Sequence, residues 1–186
     1  MTAVQQPMTS PPPPRLTGLA PVVSGSTRLL ILGSFPGKAS LAQQQYYAHP
    51  QNQFWKILQA IWPASPGVSD LTNYENRRHW LLARGLGVWD VYAACERKGS
   101  LDTAIRQAEV NDFAQLWQRC PQLTAIAHNG GESFKQAHHV LACLNSAGAP
   151  DLPVYKLPST SPAHASWSFE RKLTAWREVM VVARLF

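Results

Sequence analysis

Short apolar runs alternate along this chain with longer segments whose apolar positions recur at helical spacing. The runs predict strands at Arg28–Leu32, Leu86–Val91, Leu123–Ala127 and Val154–Leu157. Between them the pattern predicts helices at about Gln51–Ile61, Glu75–Arg84, Asn111–Arg119 and Glu132–Asn145, with Asn111 as N-cap, and a closing helix near Trp167–Arg184. Leu173, Trp176, Val179, Met180 and Ala183 form one stripe on that last helix, so Trp176, like Trp117, reads as a packing group. Strands and helices in this order imply an α/β fold. The expected architecture is three-layer α/β/α around a central, mainly parallel four-stranded sheet.

Ahead of these elements, residues 1–20 read as a disordered tail containing the run Pro11–Pro14, which can neither form a helix nor donate to a sheet. A solvated spacer is favoured over a docking segment. Residues 21–186 then form one catalytic domain, and 186 residues with 45% apolar composition suffice for a single core.

Composition adds little to fold but narrows function. A formal charge of +6 favours approach to a polyanion without identifying it. Cys95, Cys120 and Cys143 are too scattered for a disulfide framework or a zinc or iron–sulfur site, which points to a reducing cytoplasm. The amino terminus shows no signal-peptide pattern and no apolar run approaches membrane-spanning length, so a soluble cytoplasmic protein is expected, nucleoid-associated when acting.

The chemistry concentrates where the first apolar run stops, at Gly33-Ser34-Phe35-Pro36-Gly37-Lys38. A phosphate loop needs four residues between its glycines and Ser or Thr after the Lys; here there are three, and Ala39 follows Lys38. The turn suits a base pocket as well as it suits an ordinary strand-to-helix connection, since Pro36 fixes the backbone, the glycines allow close approach and Phe35 offers a ring. The segment Tyr46-Tyr47-Ala48-His49-Pro50-Gln51-Asn52-Gln53-Phe54-Trp55 adds an amide, Asn52, in the first turn after Pro50, with Phe54 and Trp55 as core anchors.

Gly-Ser-Phe-Pro-Gly, the segment Tyr46–Trp55, the block Gly87–Asp102 and the block Leu157-Pro-Ser-Thr-Ser-Pro-Ala-His-Ala165 together resemble the hypoxanthine-DNA (deoxyinosine) glycosylase branch of the uracil-DNA glycosylase superfamily, from about Leu29 to Trp176. The resemblance implies a monofunctional, cofactor-free glycosylase that flips a deaminated base out of double-stranded DNA and leaves an abasic site. Relatives carry a water-activating Asp or Asn in the first block, but the matching position here is Phe35. Asn52 is then the implied catalytic residue, orienting water or contacting the departing base; a helix cap is its plainer role.

Ser34, Phe35, Pro36, Gly37, Tyr47, Asp90 and Asn129 are the implied base pocket. Asp90 reads equally as an acceptor for N1–H of hypoxanthine or as a structural Asp, and Asn129 as a reader or a turn residue before Gly130. Ser159, Thr160, Ser161, Pro162, Ala163 and His164 form the implied DNA-contacting loop. Arg97-Lys98 and Arg171-Lys172 stand either as phosphate contacts or as solvated surface charges. No metal spacing is present in the sequence, and a monomer is expected. Mismatch-type uracil or thymine excision and a non-catalytic nucleic-acid-binding module are the alternatives.

Overall fold

The structure, a computed structural model, describes residues 14–63 and 73–186. Its first strands are β1 (Arg15–Thr17) and β2 (Leu29–Gly33), followed by helices α1 (Lys38–Gln43), α2 (Phe54–Ile61) and α3 (Tyr74–Leu82). Strands β3 (Leu86–Asp90), β4 (Tyr92–Glu96) and β5 (Arg106–Val110) come next, then α4 (Phe113–Arg119), β6 (Ala125–Asn129), α5 (Gly131–Phe134), α6 (Ala137–Ser146), β7 (Val154–Leu157) and α7 (Phe169–Val182).

Strands β3, β2, β6 and β7 form the expected parallel sheet in that order. Its two inner strands are buried at every position, as continuous apolar runs in parallel sheets require. The helices pack in two separate pairs, α2 with α7 and α4 with α6, completing the α/β/α layers. Leu30, Ile31, Phe54, Ile57, Leu58, Trp176 and Met180 are all fully buried in the shared core. Both aromatic anchors of α2 and the stripe residue Trp176 therefore serve packing, as their spacing predicts.

Three features depart from the sequence reading. A second, antiparallel sheet of order β1-β4-β5 stands beside the first, where no strand was expected. It draws Arg15–Thr17 out of the proposed tail, because Leu16 pairs with Cys95 and packs on the core; residues 1–13, with most of the proline run, lie outside the described residues. Helix α4 is capped by Asp112, whose Oδ1 accepts from Gln115 N at 2.9 Å. Asn111, the expected cap, instead donates its Nδ2 to the Asp90 carbonyl at 2.8 Å. The expected helix over Glu132–Asn145 is two helices, separated at Gln136, whose Nε2 donates to Tyr92 Oη at 3.3 Å.

A parallel sheet puts all its carboxyl ends on one edge. Gly33, Asp90, Asn129 and Leu157, the last residues of the four strands, thus share the edge from which the Gly33–Gly37 turn and the loop after β7 depart.

Candidate active site

The turn after β2 is shaped by what surrounds Gly33. A Cβ built there would run into Asp90 Oδ1, so glycine leaves the Asp90 carboxyl its place beside the turn. Ser34 Oγ donates to Asp102 Oδ1 at 2.7 Å, and the buried Phe35 ring lies over the Arg97 guanidinium, whose carbon is 4.9 Å from the ring centroid. Arg97 also donates to the Pro36 carbonyl. Gly37 caps α1 in extended conformation, and Lys38 N donates to Ser100 Oγ at 3.1 Å. Residues 97–102, which follow β4, therefore hold the turn at both ends and in the middle. Arg97 is only 2% exposed, which removes it from both roles considered for it in the sequence, phosphate contact and solvated charge.

Asp90 is 4% exposed, and burial, with the Asp102 charge behind it, pushes its carboxyl up to about 7. The Arg97 charge and a bond from Tyr46 pull the other way. Tyr47 adopts a left-handed φ of 55°, stacks on Phe54 with ring centroids 3.9 Å apart, and has its phenol pushed well up by burial and by Asp90. Asp90 Oδ2, Tyr47 Oη and the Arg97 Nε and Nη1 groups are buried and have no hydrogen-bond partner among the described residues. Buried polar groups are normally paired, so the unpaired Asp90 and Tyr47 atoms beside Gly33 mark a place where a polar ligand completes the pairing.

Asn52 lies in the turn between Pro50 and α2. Its Oδ1 accepts from Phe54 N at 3.0 Å, an Asx turn one residue ahead of the N-cap Gln53, while a carbonyl oxygen retains a second lone pair and Nδ2 two hydrogens. Trp55 Nε1 donates to the Tyr46 carbonyl at 3.0 Å, fixing the aromatic segment to the start of α2. The neighbouring Gln53 N donates to the Thr160 carbonyl at 3.0 Å. That bond joins the Asn52 turn to the loop after β7.

Asn129 serves the same junction. Its Nδ2 donates to Thr160 Oγ1 and its Oδ1 accepts from Thr160 N, both at 2.9 Å. One bond at each end of the amide fastens the loop to the sheet, so Asn129 is more than a turn residue, and its second Nδ2 hydrogen and second Oδ1 lone pair remain for a ligand. Thr160 is fully buried, which takes it out of the expected phosphate contacts, whereas Pro162 and Ala163 are exposed and Ser159, Ser161 and His164 half-buried. Helix α7 grips the loop by its backbone: Trp176 Nε1 donates to the Pro158 carbonyl at 3.1 Å and Lys172 Nζ to the His164 carbonyl at 2.8 Å. Lys172 is thus buried under the loop, while Arg171 stacks on Trp167 at 3.9 Å.

His128, next to Asn129, is fully buried with Nδ1 2.8 Å from Ser133 Oγ, which donates to the Leu32 carbonyl. Burial lowers its imidazole to about 4, so it is neutral at physiological pH. Sequence reasoning missed Arg97, Ser100 and Asp102 as parts of the site. Their signal was a polar cluster closing an apolar block of strand composition, Val91–Cys95. Among the described residues no group of three or more His, Cys, Asp or Glu side chains is placed to hold a metal ion, the three cysteines are free, and no helix is long and apolar enough to cross a membrane.

A parallel sheet with covered faces whose polar turns gather at the carboxyl strand ends defines a three-layer α/β protein with its ligand site outside those ends. The chain belongs to the uracil DNA glycosylase superfamily, whose family model matches residues 20–180. It is 34% identical to a "Hypoxanthine DNA glycosylase" of Methanosarcina acetivorans over 87% of this chain and 96% of that one. It is 40% identical to a protein of the same description from Methanosarcina barkeri over 62% of this chain and 72% of the other. A solution NMR structure from Methanosarcina acetivorans, provisionally described as a uracil DNA glycosylase, superposes with a TM-score of 0.74 at 31% identity, covering 91% of this chain and 99% of its own.

Proposed function

We propose that this protein is a monofunctional DNA glycosylase that takes hypoxanthine out of double-stranded DNA and hydrolyses its glycosidic bond. The carrying observation is the junction of three segments at one sheet edge: the Gly33–Gly37 turn, the Asn52 turn and the Ser159–His164 loop, the last two tied through Gln53 N and Thr160. Family membership and two relatives described as hypoxanthine DNA glycosylases support the reading.

In this reading the deaminated base, unpaired more cheaply than a normal one, swings into the space framed by Phe35, Pro36 and Tyr47. The unpaired atoms of Asp90 and Tyr47 meet its polar edge. Asn52, through Nδ2 and the free lone pair of Oδ1, orients a water toward C1′. The water oxygen bonds to C1′, the C1′–N9 electron pair leaves with the purine, and the water proton passes to the solvent or to the departing base. No carboxylate stands at the first-block position, so stabilising the departing purine carries much of the barrier lowering. Ser159, Ser161 and His164 face the DNA backbone from the loop, and one pocket on one surface lets a monomer act alone.

The test is single-turnover reaction with duplexes carrying one deoxyinosine or one deoxyuridine, followed by alkali. Alkali-dependent cleavage at deoxyinosine, lowered by about a hundredfold in Asn52→Ala, is expected. Cleavage at deoxyuridine alone would transfer the substrate to uracil, and wild-type rates in the variant would take the water-orienting role from Asn52.

A further inference from the structure

The middle of the first-block turn rests on a buried cation that follows the second sheet's central strand. Arg97 follows β4 directly and is 2% exposed, yet among the described residues only its Nη2 finds an acceptor, the Pro36 carbonyl. Its Nε and Nη1 are buried without partners among those residues. A guanidinium held this way is a poor stabiliser, because its desolvation is poorly offset and an apolar side chain of equal volume would fill the space at less cost. What an apolar side chain would not supply is the planar charged face beneath Phe35 together with a donor to the next carbonyl.

The surroundings fit a positioning role. Ser100 and Asp102, a few residues on, bind Lys38 N and Ser34 Oγ, so the turn is gripped on either side of the Arg97 contact. Burial disfavours the charged guanidinium, and Cys95, Asp102 and Asp90 act the other way.

We propose that Arg97 is a positioning residue for base excision, fixing Phe35 and Pro36 from beneath so that the pocket wall is set before the base arrives. The proposal rests on the reading that this turn frames the base pocket. It predicts that Arg97 acts on the chemical step and not on DNA affinity, since preorganised geometry changes the rate once substrate is bound.

The experiment compares wild type, Arg97→Met and Arg97→Lys in single-turnover excision from a deoxyinosine duplex over a range of enzyme concentrations. Amide hydrogen exchange at Phe35, Gly37 and Lys38 is followed in parallel. For Arg97→Met the saturating rate should fall at least about tenfold with the half-saturating concentration unchanged within about twofold. Exchange in the turn should quicken, and Arg97→Lys, which keeps the charge and loses the planar face, should fall between. A folded Arg97→Met with wild-type saturating rate and exchange would overturn the proposal, as would a loss confined to DNA affinity. Should Arg97→Met not fold, Arg97→Lys carries the same test. If the wild type leaves deoxyinosine untouched, the functional reading fails and the exchange measurement alone decides the clamp.

Discussion

Replacing Asp90 by Asn should change how stability depends on pH, and by a magnitude that can be worked out. The Asp90 carboxyl sits at about 7 in the fold against an ordinary value near 4, a rise of about three pH units that corresponds to about 4 kcal/mol. For a raised carboxyl, the folded state holds the proton more tightly than the unfolded one. Its contribution is fully present below about pH 4, is lost progressively as pH rises through about 7, and is constant above that. Asn is neutral throughout and nearly the same shape, so it keeps the stability that the ionising Asp surrenders.

The assay is thermal unfolding of both proteins from pH 4 to pH 8.5 at one ionic strength. Wild type and Asp90→Asn should be close at pH 4, and the variant should gain on wild type up to about pH 7.5 by on the order of 10 °C, using about 2–4 °C per kcal/mol for a chain of this size. The opposite contribution from neutral buried His128, which is lost as pH falls from about 6.5 toward 4, is common to both proteins and cancels in the difference. A constant offset across the range would refute the reasoning, because it would mean that Asp90 titrates alike folded and unfolded.

Two further substitutions test the framework around the site. Gly33→Ala drives a methyl group into Asp90 Oδ1 and should cost about 1–3 kcal/mol in urea unfolding, whereas Gly25→Ala, with nothing within 4 Å of the added carbon, should meet no clash. Equal losses in the two would argue against crowding as the cause. Thr160→Val removes the acceptor for Asn129 Nδ2 without changing shape and should cost about 1–3 kcal/mol by leaving a buried donor unpaired. Through the Gln53 bond it should also slow excision while leaving the parallel sheet intact by circular dichroism; an unchanged rate at reduced stability would separate Asn129 and Thr160 from the Asn52 turn.

The parallel sheet was legible because its strands are short, mainly apolar runs of the length strands require, and Val154–Leu157 agrees end to end. The second sheet was hidden for opposite reasons in each strand. Tyr92–Glu96 is separated from Asp90 by Val91 alone, so its apolar residues merge with the preceding run, while Arg106–Val110 is exposed at nearly every position and shows no alternation. Asn52 and the Gly33–Gly37 turn could be singled out from their residue types and neighbours. Arg97 and Lys172 could not, because a charged residue in sequence reads as surface, and only tertiary contact reveals a carbonyl waiting for it. Asn111 shows the same limit, since its local propensity to cap lost to the Asp90 carbonyl across the fold.

The grip of α7 on the loop after β7 separates two properties that are often entangled in binding loops. Trp176 and Lys172 take hold of main-chain carbonyls at Pro158 and His164, atoms present whatever side chains the loop carries. Position is thus written in the helix and in Thr160, and not in the exposed side chains of Pro162 and Ala163. Those two side chains can be exchanged without renegotiating where the loop sits.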